Sequence, residues 1–391
     1  MKYDFDTPIS RRNTGSYKWD VAKENELPMW VADMDFPVAP KITEALFKRV
    51  AHPIYGYQSE ALPWKQSYIK FWERRYGFRF SEEEMAFATG VVPTLSSAVR
   101  KLAKANGKVL IMTPVYNIFF NSIVNNGRTP SCSELLYDGE KYSIDFEDLE
   151  KRMEDPECSL MILCNPQNPV GRLYGKEELA KIGELAKKHG VIVLSDEIHG
   201  PISEPGTRYI PFASVNEANR MNSITAIAPT KAFNLAGIQT SAVVIPNPEV
   251  RKAFLRQLNT DECAEPNVFS LPAAISAFEE SEDWLEELNE VIARNRRITE
   301  SFVKDNIPDI KVIHGQATYL LWLDVSKLGE GEAFASFLKE ETGLIVNPGP
   351  EYGKGGEHFI RLNVACPLSR LQDGLNRLKN GAIAYKRKQN A

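Results

Sequence analysis

The sequence predicts an α/β fold: a mostly parallel β-sheet covered by helices on both faces, joined to a smaller α+β domain. Three observations predict it. Short continuous apolar runs recur between Met85 and Ile227, and most of them lead into a loop bearing polar residues. Helical periodicity lies between such runs; strands buried on both faces read as unbroken apolar stretches, and their alternation with helices is the pattern of parallel sheets. From about Glu287 the pattern changes to a long charged helix, one further apolar run, and helical and Gly/Pro-rich segments up to the end.

Taken in order, Met85 to Ala88 is the first run; it ends at Thr89 and Gly90 and precedes a helical stretch from Thr94 to Lys104. A strand, a glycine turn and a helix N-terminus present free backbone N–H groups, a natural phosphate site. Val109 to Met112 leads into the loop Thr113 to Asn117, and Leu160 to Cys164 leads into Asn165 to Gly171. Glu177 to His189 carries Leu179, Ile182 and Leu185 at helical spacing, with Gly190 placed to end the helix. Val191 to Leu194 leads into Ser195 to His199, and Ile224 to Ile227 leads into Ala228 to Lys231. Asn289 to Val303 is the long charged helix, and Thr318 to Leu323 the later apolar run. Ligands of open α/β sheets bind beyond the carboxyl ends of the strands, so these polar loops are expected to converge on one site.

Composition narrows the function classes. Of the 391 residues 43% are hydrophobic, enough for a core and too long a chain for one compact unit. A net charge of -5 without a basic stripe argues against a nucleic-acid partner. The N-terminus is polar where a secretory signal needs an apolar core, and no apolar run approaches a membrane span, so a cytoplasmic protein without a membrane partner is expected. Cys132, Cys158, Cys164, Cys263 and Cys366 form no CxxC pair and are expected to be reduced and mostly buried. His52, His189, His199, His314 and His358 show no paired-ligand spacing, so no protein-bound metal is expected. Gly349 to Gly355 lacks the spacer and the Ser/Thr of a nucleotide P-loop and is not read as one.

Lys231 on its own reads as a solvated lysine after a strand. Its company changes that reading. Chemistry with pyridoxal phosphate (PLP) needs an amine to hold the aldehyde, an acid to keep the pyridine nitrogen protonated and a donor for the ring oxygen. It also needs a flat group over the ring and a cradle for the phosphate. Lys231, Asp196, Asn168, Tyr116 and the turn Thr89, Gly90, Val91, Val92 offer these in the loops just described. Each has a structural alternative: Asp196 as a helix N-cap, Asn168 as a turn residue before Pro169, Tyr116 as core.

Four segments resemble the fold-type I PLP family, the class I/II aminotransferases and their relatives, in order and in separation. They are NPQNPVGR (Asn165 to Arg172), SDEIH (Ser195 to His199), APTKAFNLAG (Ala228 to Gly237) and FIRLNVACP (Phe359 to Pro367), and the resemblance runs over nearly the whole chain. It implies a large PLP-binding domain, residues 48–286, with a mostly parallel seven-stranded sheet between helices, and a small α+β domain of residues 1–47 and 287–391. It makes Lys231 the lysine that carries the cofactor as a Schiff base, with Tyr116 as the second catalytic residue. Asp196 becomes the partner of the pyridinium nitrogen, Asn168 the donor to the phenolic oxygen, and Tyr116 the group stacked on the ring. Arg361 takes the substrate α-carboxylate with two parallel hydrogen bonds. Gly90, Val91, Val92, Thr230, His199 and Tyr57 complete the implied cofactor contacts, and Val31, Ala32 and Tyr319 join Arg361 around an amino-acid substrate. Relatives build paired sites across a dimer interface, which implies a homodimer whose Tyr57 or Tyr55 reaches the neighbouring site. Two positions depart from the better-known pattern: Ala228 stands where many relatives have Ser, and Gln239 where many have Arg. Thr230 is the expected replacement donor, and the helix terminus and a partner subunit carry more of the phosphate's charge.

Leu27 to Pro37, Tyr55 to Tyr57, SDEIH and Lys231 to Gly237 together resemble the cystathionine β-lyase/C-S lyase branch, and His199 stands where many aminotransferases carry a tyrosine. The implied reaction is α,β-elimination of cystathionine- or cysteine-type amino acids to pyruvate, ammonia and a thiol, with Lys231 removing the Cα proton. The site residues by themselves leave open a pyruvate- or 2-oxoglutarate-dependent aminotransferase, because one carbanion serves both reactions. The alternative from another class is a regulatory protein that keeps the fold; the retained Lys231, Asp196, Asn168 and Arg361 speak against it.

Overall fold

The computed structural model describes residues 2–390. Seven strands form one sheet in the order Met85–Ala88, Ser241–Val244, Ser223–Ile227, Ile192–Asp196, Cys158–Cys164, Lys108–Thr113, Thr129–Glu134. Ser241–Val244 runs antiparallel to both neighbours, and all other pairs are parallel. Every residue of Met85–Ala88, Ser223–Ile227 and Ser241–Val244 is buried, which is why these strands read as unbroken runs. One face packs on Leu95, Ala98 and Val99 of the Val91–Leu102 helix, the other on Leu179, Ile182 and Leu185 of the Lys176–Lys188 helix.

Several boundaries differ from the sequence reading, each for a physical reason. The helix expected from Thr94 begins at Val91; Pro93 falls in its first turn, where a missing N–H is no loss. The strand expected to stop at Leu194 continues to Asp196, because Cys164 pairs with Asp196 in the parallel ladder. Asp196 is therefore a strand residue and not an N-cap. The run expected from Thr318 becomes a strand only from Leu320 to Asp324; Thr318 takes φ 66°, a left-handed conformation outside the β region. The long helix spans Glu282–Asn306, longer at both ends than 289–303, and crosses position 287 without a break.

A second sheet of four antiparallel strands follows, in the order Lys311–Ile313, Leu320–Asp324, Phe359–Asn363, Asn347–Pro348. The Glu282–Asn306, Gly331–Thr342 and Leu368–Gln389 helices share its apolar cluster through Val303, Phe334, Leu338, Leu371 and Leu375. The N-terminal stretch joins the same cluster: Leu27–Pro28 pairs in parallel with Leu344–Ile345, and Trp19 and Met29 are buried there. The chain then crosses to the first sheet's side, where Met34 and Phe36 pack in a cluster with Phe71, Phe233 and Trp284. Among the described residues no helix is long and apolar enough to cross a membrane. The five cysteines are free, Cys132 partly and the other four fully buried.

Candidate active site

The polar loops converge as expected. Beyond the strands' carboxyl ends lies a cavity of about 330 Å³, walled by Thr89 to Pro93, Tyr116, Cys164, Asn168, Asp196, Ile198, His199, Thr230, Lys231, Ala236 and Gln239. Ala32, from the crossing N-terminal segment, closes one side.

Lys231 follows its strand by four residues, and its Nζ donates to Ala32 O at 2.6 Å. Burial first, and then the charge of Arg361, lower its pKa to about 8. Asp196 is buried, and burial pushes its carboxyl up to about 6 against the opposing Ile198 N–H bond, at 3.2 Å, and the charge of Lys231. Among the described residues no lysine or arginine forms an ion pair with it. An acid at the bottom of a cavity, lacking a cation of its own, fits a positively charged ring nitrogen.

Arg361 lies on the Phe359–Asn363 strand and is only 4% exposed. Its Nη1 donates to Asn168 Oδ1 at 3.2 Å, and its Nη2 to Asn347 Oδ1 at 2.8 Å and Trp30 O at 3.0 Å. Its Nε is buried without a partner, and the guanidinium stands 4.9 Å from the centroid of the Tyr352 ring. All three acceptors are neutral, and among the described residues no carboxylate pairs with this cation. The arrangement is ready for an incoming carboxylate. Because Asn168 turns its oxygen to Arg361, its NH₂ group is left to donate.

Tyr116 lines the cavity, and burial raises its phenol above the ordinary range. His199 has its Nδ1 buried without a partner; burial, with the charges of Lys231 and Arg361, holds the ring below the usual histidine range and so neutral. It meets the edge of Tyr319 at 6.0 Å, and the Tyr319 hydroxyl donates to Ala32 O at 3.0 Å. Gly90 is extended, and no side chain caps the helix that starts at Val91, so the first-turn N–H groups stand open at the cavity. Thr230 lines the same end, its hydroxyl 3.3 Å from Thr240 O, and Gln239 adopts φ 56° beside it. Ala228 is core. A poised amine, a buried acid, an unmatched cation and an open helix terminus together fit PLP and an amino acid.

Some residues stand apart. Tyr57 is 99% exposed and, with Tyr55, borders a surface hollow beside Asn267 to Phe269; Gln239 lines both that hollow and the cavity. Val31 is absent from the cavity wall, and its carbonyl accepts from Asn363 Nδ2 at 2.6 Å. Sequence reasoning missed Trp30, Asn347 and Tyr352 around Arg361, because they arrive from separate segments. It also missed Glu197, which braces the strand end beneath Asp196. That carboxylate accepts from Tyr209 Oη, from Ser195 Oγ at 2.7 Å and from Phe212 N at 2.8 Å, and burial pushes it up to about 7. Asn363 did carry a signal: it is two residues from Arg361 on one strand and so shares its face.

Comparison with known proteins agrees with this geometry. The family model described as aminotransferase class I and II matches residues 33–378. The chain is 40% identical over 382 residues to cystathionine beta-lyase PatB of Bacillus subtilis (strain 168), covering 96% of this chain and 99% of that one. Cystalysin from Treponema denticola, whose crystal structure contains a pyridoxal 5'-phosphate cofactor, is 34% identical with a TM-score of 0.95, covering 98% of this chain and 100% of its own. The PLP-bound C-S lyase from Staphylococcus hominis is 31% identical with a TM-score of 0.91, covering 97% and 99%. A family match over most of the chain, around a cavity lined by Asn168, Asp196 and Lys231, establishes that the protein belongs to the class I and II aminotransferase family.

Proposed function

We propose that the protein is a PLP-dependent carbon–sulfur β-lyase, which eliminates a thiol from cystathionine- or cysteine-type amino acids and leaves pyruvate and ammonia. One observation carries the reading: buried Arg361, whose charge no carboxylate meets among the described residues, stands beside buried Lys231, whose amine is free near pH 8. The similarity to PatB, cystalysin and the staphylococcal C-S lyase supports the elimination over transamination.

Bound in the cavity, PLP supplies an aldehyde for the substrate's amino group and a cationic ring that takes up the electron pair freed at Cα. The chain's own residues do the rest. Arg361 forks onto the α-carboxylate and thereby orients the Cα–H bond. Lys231 Nζ takes the Cα proton, and the burial that lowers its pKa favours the neutral amine more than in an ordinary lysine. With the cofactor bound, Asp196 would keep the ring nitrogen protonated, Asn168 would donate to the ring oxygen, and Tyr116 would cover the ring face. His199, held neutral, adds a polar contact without adding charge. The Val91–Leu102 helix terminus and Thr230 hold the phosphate. The C–S bond breaks with its electrons on sulfur, and water hydrolyses the remaining enamine, so no oxidant or 2-oxo acid is consumed.

The proposed assembly is a cytoplasmic homodimer with sites at the interface, Tyr57 of each subunit reaching the other's cavity. The exposure of Tyr57 and the hollow it shares with Gln239 support this, and the free cysteines suit a reducing compartment. Within each subunit the proposed large domain is residues 48–286 and the small one residues 1–47 and 287–391, the Glu282–Asn306 helix joining them. The test is pyruvate release from cystathionine and from cysteine without an added 2-oxo acid. Sustained turnover is expected; a single turnover, restarted only by a 2-oxo acid, would overturn the lyase reading in favour of an aminotransferase.

A further inference from the structure

The segment Trp30 to Met34 is neither helix nor strand, yet each of its carbonyls accepts a hydrogen bond from a side chain. Two of those donors belong to groups that the reaction draws away: Arg361 Nη2 on Trp30 O, at 3.0 Å, and Lys231 Nζ on Ala32 O, at 2.6 Å. Asn363 holds the two carbonyls between and beyond them. Its Nδ2 donates to Val31 O at 2.6 Å and to Asp33 O at 2.7 Å. Its Oδ1 accepts from Ala365 N at 2.8 Å, and its own N–H donates to Met29 O at 2.9 Å. The side chain is 2% exposed.

We propose that Asn363 is a positioning residue: its amide holds the Trp30 to Met34 segment against the second sheet, so that this cavity wall stays in place when Arg361 turns to the substrate carboxylate and Lys231 to the cofactor. The proposal rests on the roles of Arg361 and Lys231 in the lyase reading. Once those two side chains are engaged, Trp30 O loses its side-chain donor and Ala32 O keeps only the Tyr319 hydroxyl, at 3.0 Å. The far end of the segment is secured separately, by Asn234 on Met34 and Phe36. Between Met29, whose N–H is bonded to Ile345 O, and that far anchor, Asn363 then supplies two of the three side-chain hydrogen bonds left on the segment's carbonyls, Tyr319 supplying the third. A primary amide is well matched to this position, since it offers two donors from one nitrogen, carries no charge into a site that already holds an unmatched cation, and does not titrate. A carboxylate here would set an acceptor against two carbonyl oxygens, so Asn363→Asp is expected to be worse than Asn363→Ala.

The test is hydrogen–deuterium exchange of the holoenzyme over residues 29–36, where the amides of Met29, Asp33, Met34 and Asp35 are bonded. It is run with and without saturating L-alanine, an amino acid that has no β-leaving group. The parent should exchange slowly in both states. In Asn363→Ala exchange should quicken, and alanine should quicken it further as Arg361 lets go of Trp30. Loss of two neutral hydrogen bonds corresponds to a rise in KM of roughly tenfold to a hundredfold, with kcat changed much less. Asn363→Ser, which keeps one donor, should fall between the two and serves if the alanine variant does not fold. Parental exchange in Asn363→Ala with alanine bound would overturn the proposal, and so would a lowered Tm with unchanged KM. If alanine alters neither the parent's cofactor spectrum nor exchange at residues 359–363, the reading of the site itself fails, and the proposal with it.

Discussion

Truncating Arg361 to alanine tests the carboxylate site and the electrostatics behind it together. In the free protein this guanidinium is buried, makes three hydrogen bonds to neutral acceptors, and meets no carboxylate among the described residues. On the proposed reading a substrate carboxylate would complete the pair, and without Arg361 that carboxylate would enter a largely dry site unmatched. Removing one partner of a buried ion pair costs about 3–5 kcal/mol. At about 1.4 kcal/mol per tenfold, kcat/KM should fall by roughly two to four orders of magnitude for every amino acid, whatever its β-substituent. Arg361→Lys keeps the charge but not the planar fork, and should recover only part of the loss. Stability should respond differently. The alanine variant gives up three hydrogen bonds at roughly 1 kcal/mol each, but it also removes a buried charge without a counterion, so its unfolding free energy should stay within about 2 kcal/mol of the parent. Initial rates of pyruvate release and urea denaturation measure the two quantities. Parental kcat/KM in Arg361→Ala would refute the carboxylate assignment, and a collapse of the fold would refute the claim that the cation is unmatched.

Two further predictions concern buried titrating groups. In the apoprotein the Lys231 pKa of about 8 lies below its ordinary 10.5, so between these values the unfolded chain binds the extra proton and stability rises with pH. Lys231→Met lacks that slope: it should be more stable than the parent by up to about 3 kcal/mol at pH 7, the gap closing by pH 10.5. Equal urea midpoints for the two proteins at pH 7 and again at pH 10 would count against a buried, charged lysine. Glu197→Ala should cost roughly 3–5 kcal/mol of stability, because Tyr209, Ser195 and Phe212 N lose their shared acceptor. The raised pKa of Glu197, about 7 against 4.5, favours the fold below pH 4.5, and that advantage is lost as pH rises through 7. Glu197→Gln should flatten that fall in a pH series of thermal melts, and an unchanged profile would exclude Glu197 as its source.

Much of the fold and of the motif set was legible in the sequence because those signals are local. A strand covered on both faces must be apolar at every position, so Leu160 to Cys164 and Ile224 to Ile227 announced themselves, and the polar residues just after them had to lie at one edge of a parallel sheet. Lys231, Asn168 and Asp196 were expected at the cavity in this way and line it, and Arg361, singled out through the motif FIRLNVACP, bonds Asn168 there. Local patterns could not show what distant segments impose. Asp196 belongs to its strand because Cys164 and Ala226 supply the ladders on its two sides. The helix begins at Val91, three residues before the expected Thr94, because a first turn accepts Pro93. The state of Lys231 was decided by burial and by Arg361, which is 130 positions away in the chain and close in space. Likewise the carbonyls of Trp30 and Ala32, which any residue would possess, acquired their roles only when the N-terminal segment was laid across Arg361, Lys231 and Asn363. Residue types dictate which chemistry is available, but the proton affinity of a buried group and the donors that reach a carbonyl depend on what the rest of the chain brings beside them, and only the tertiary structure decides that.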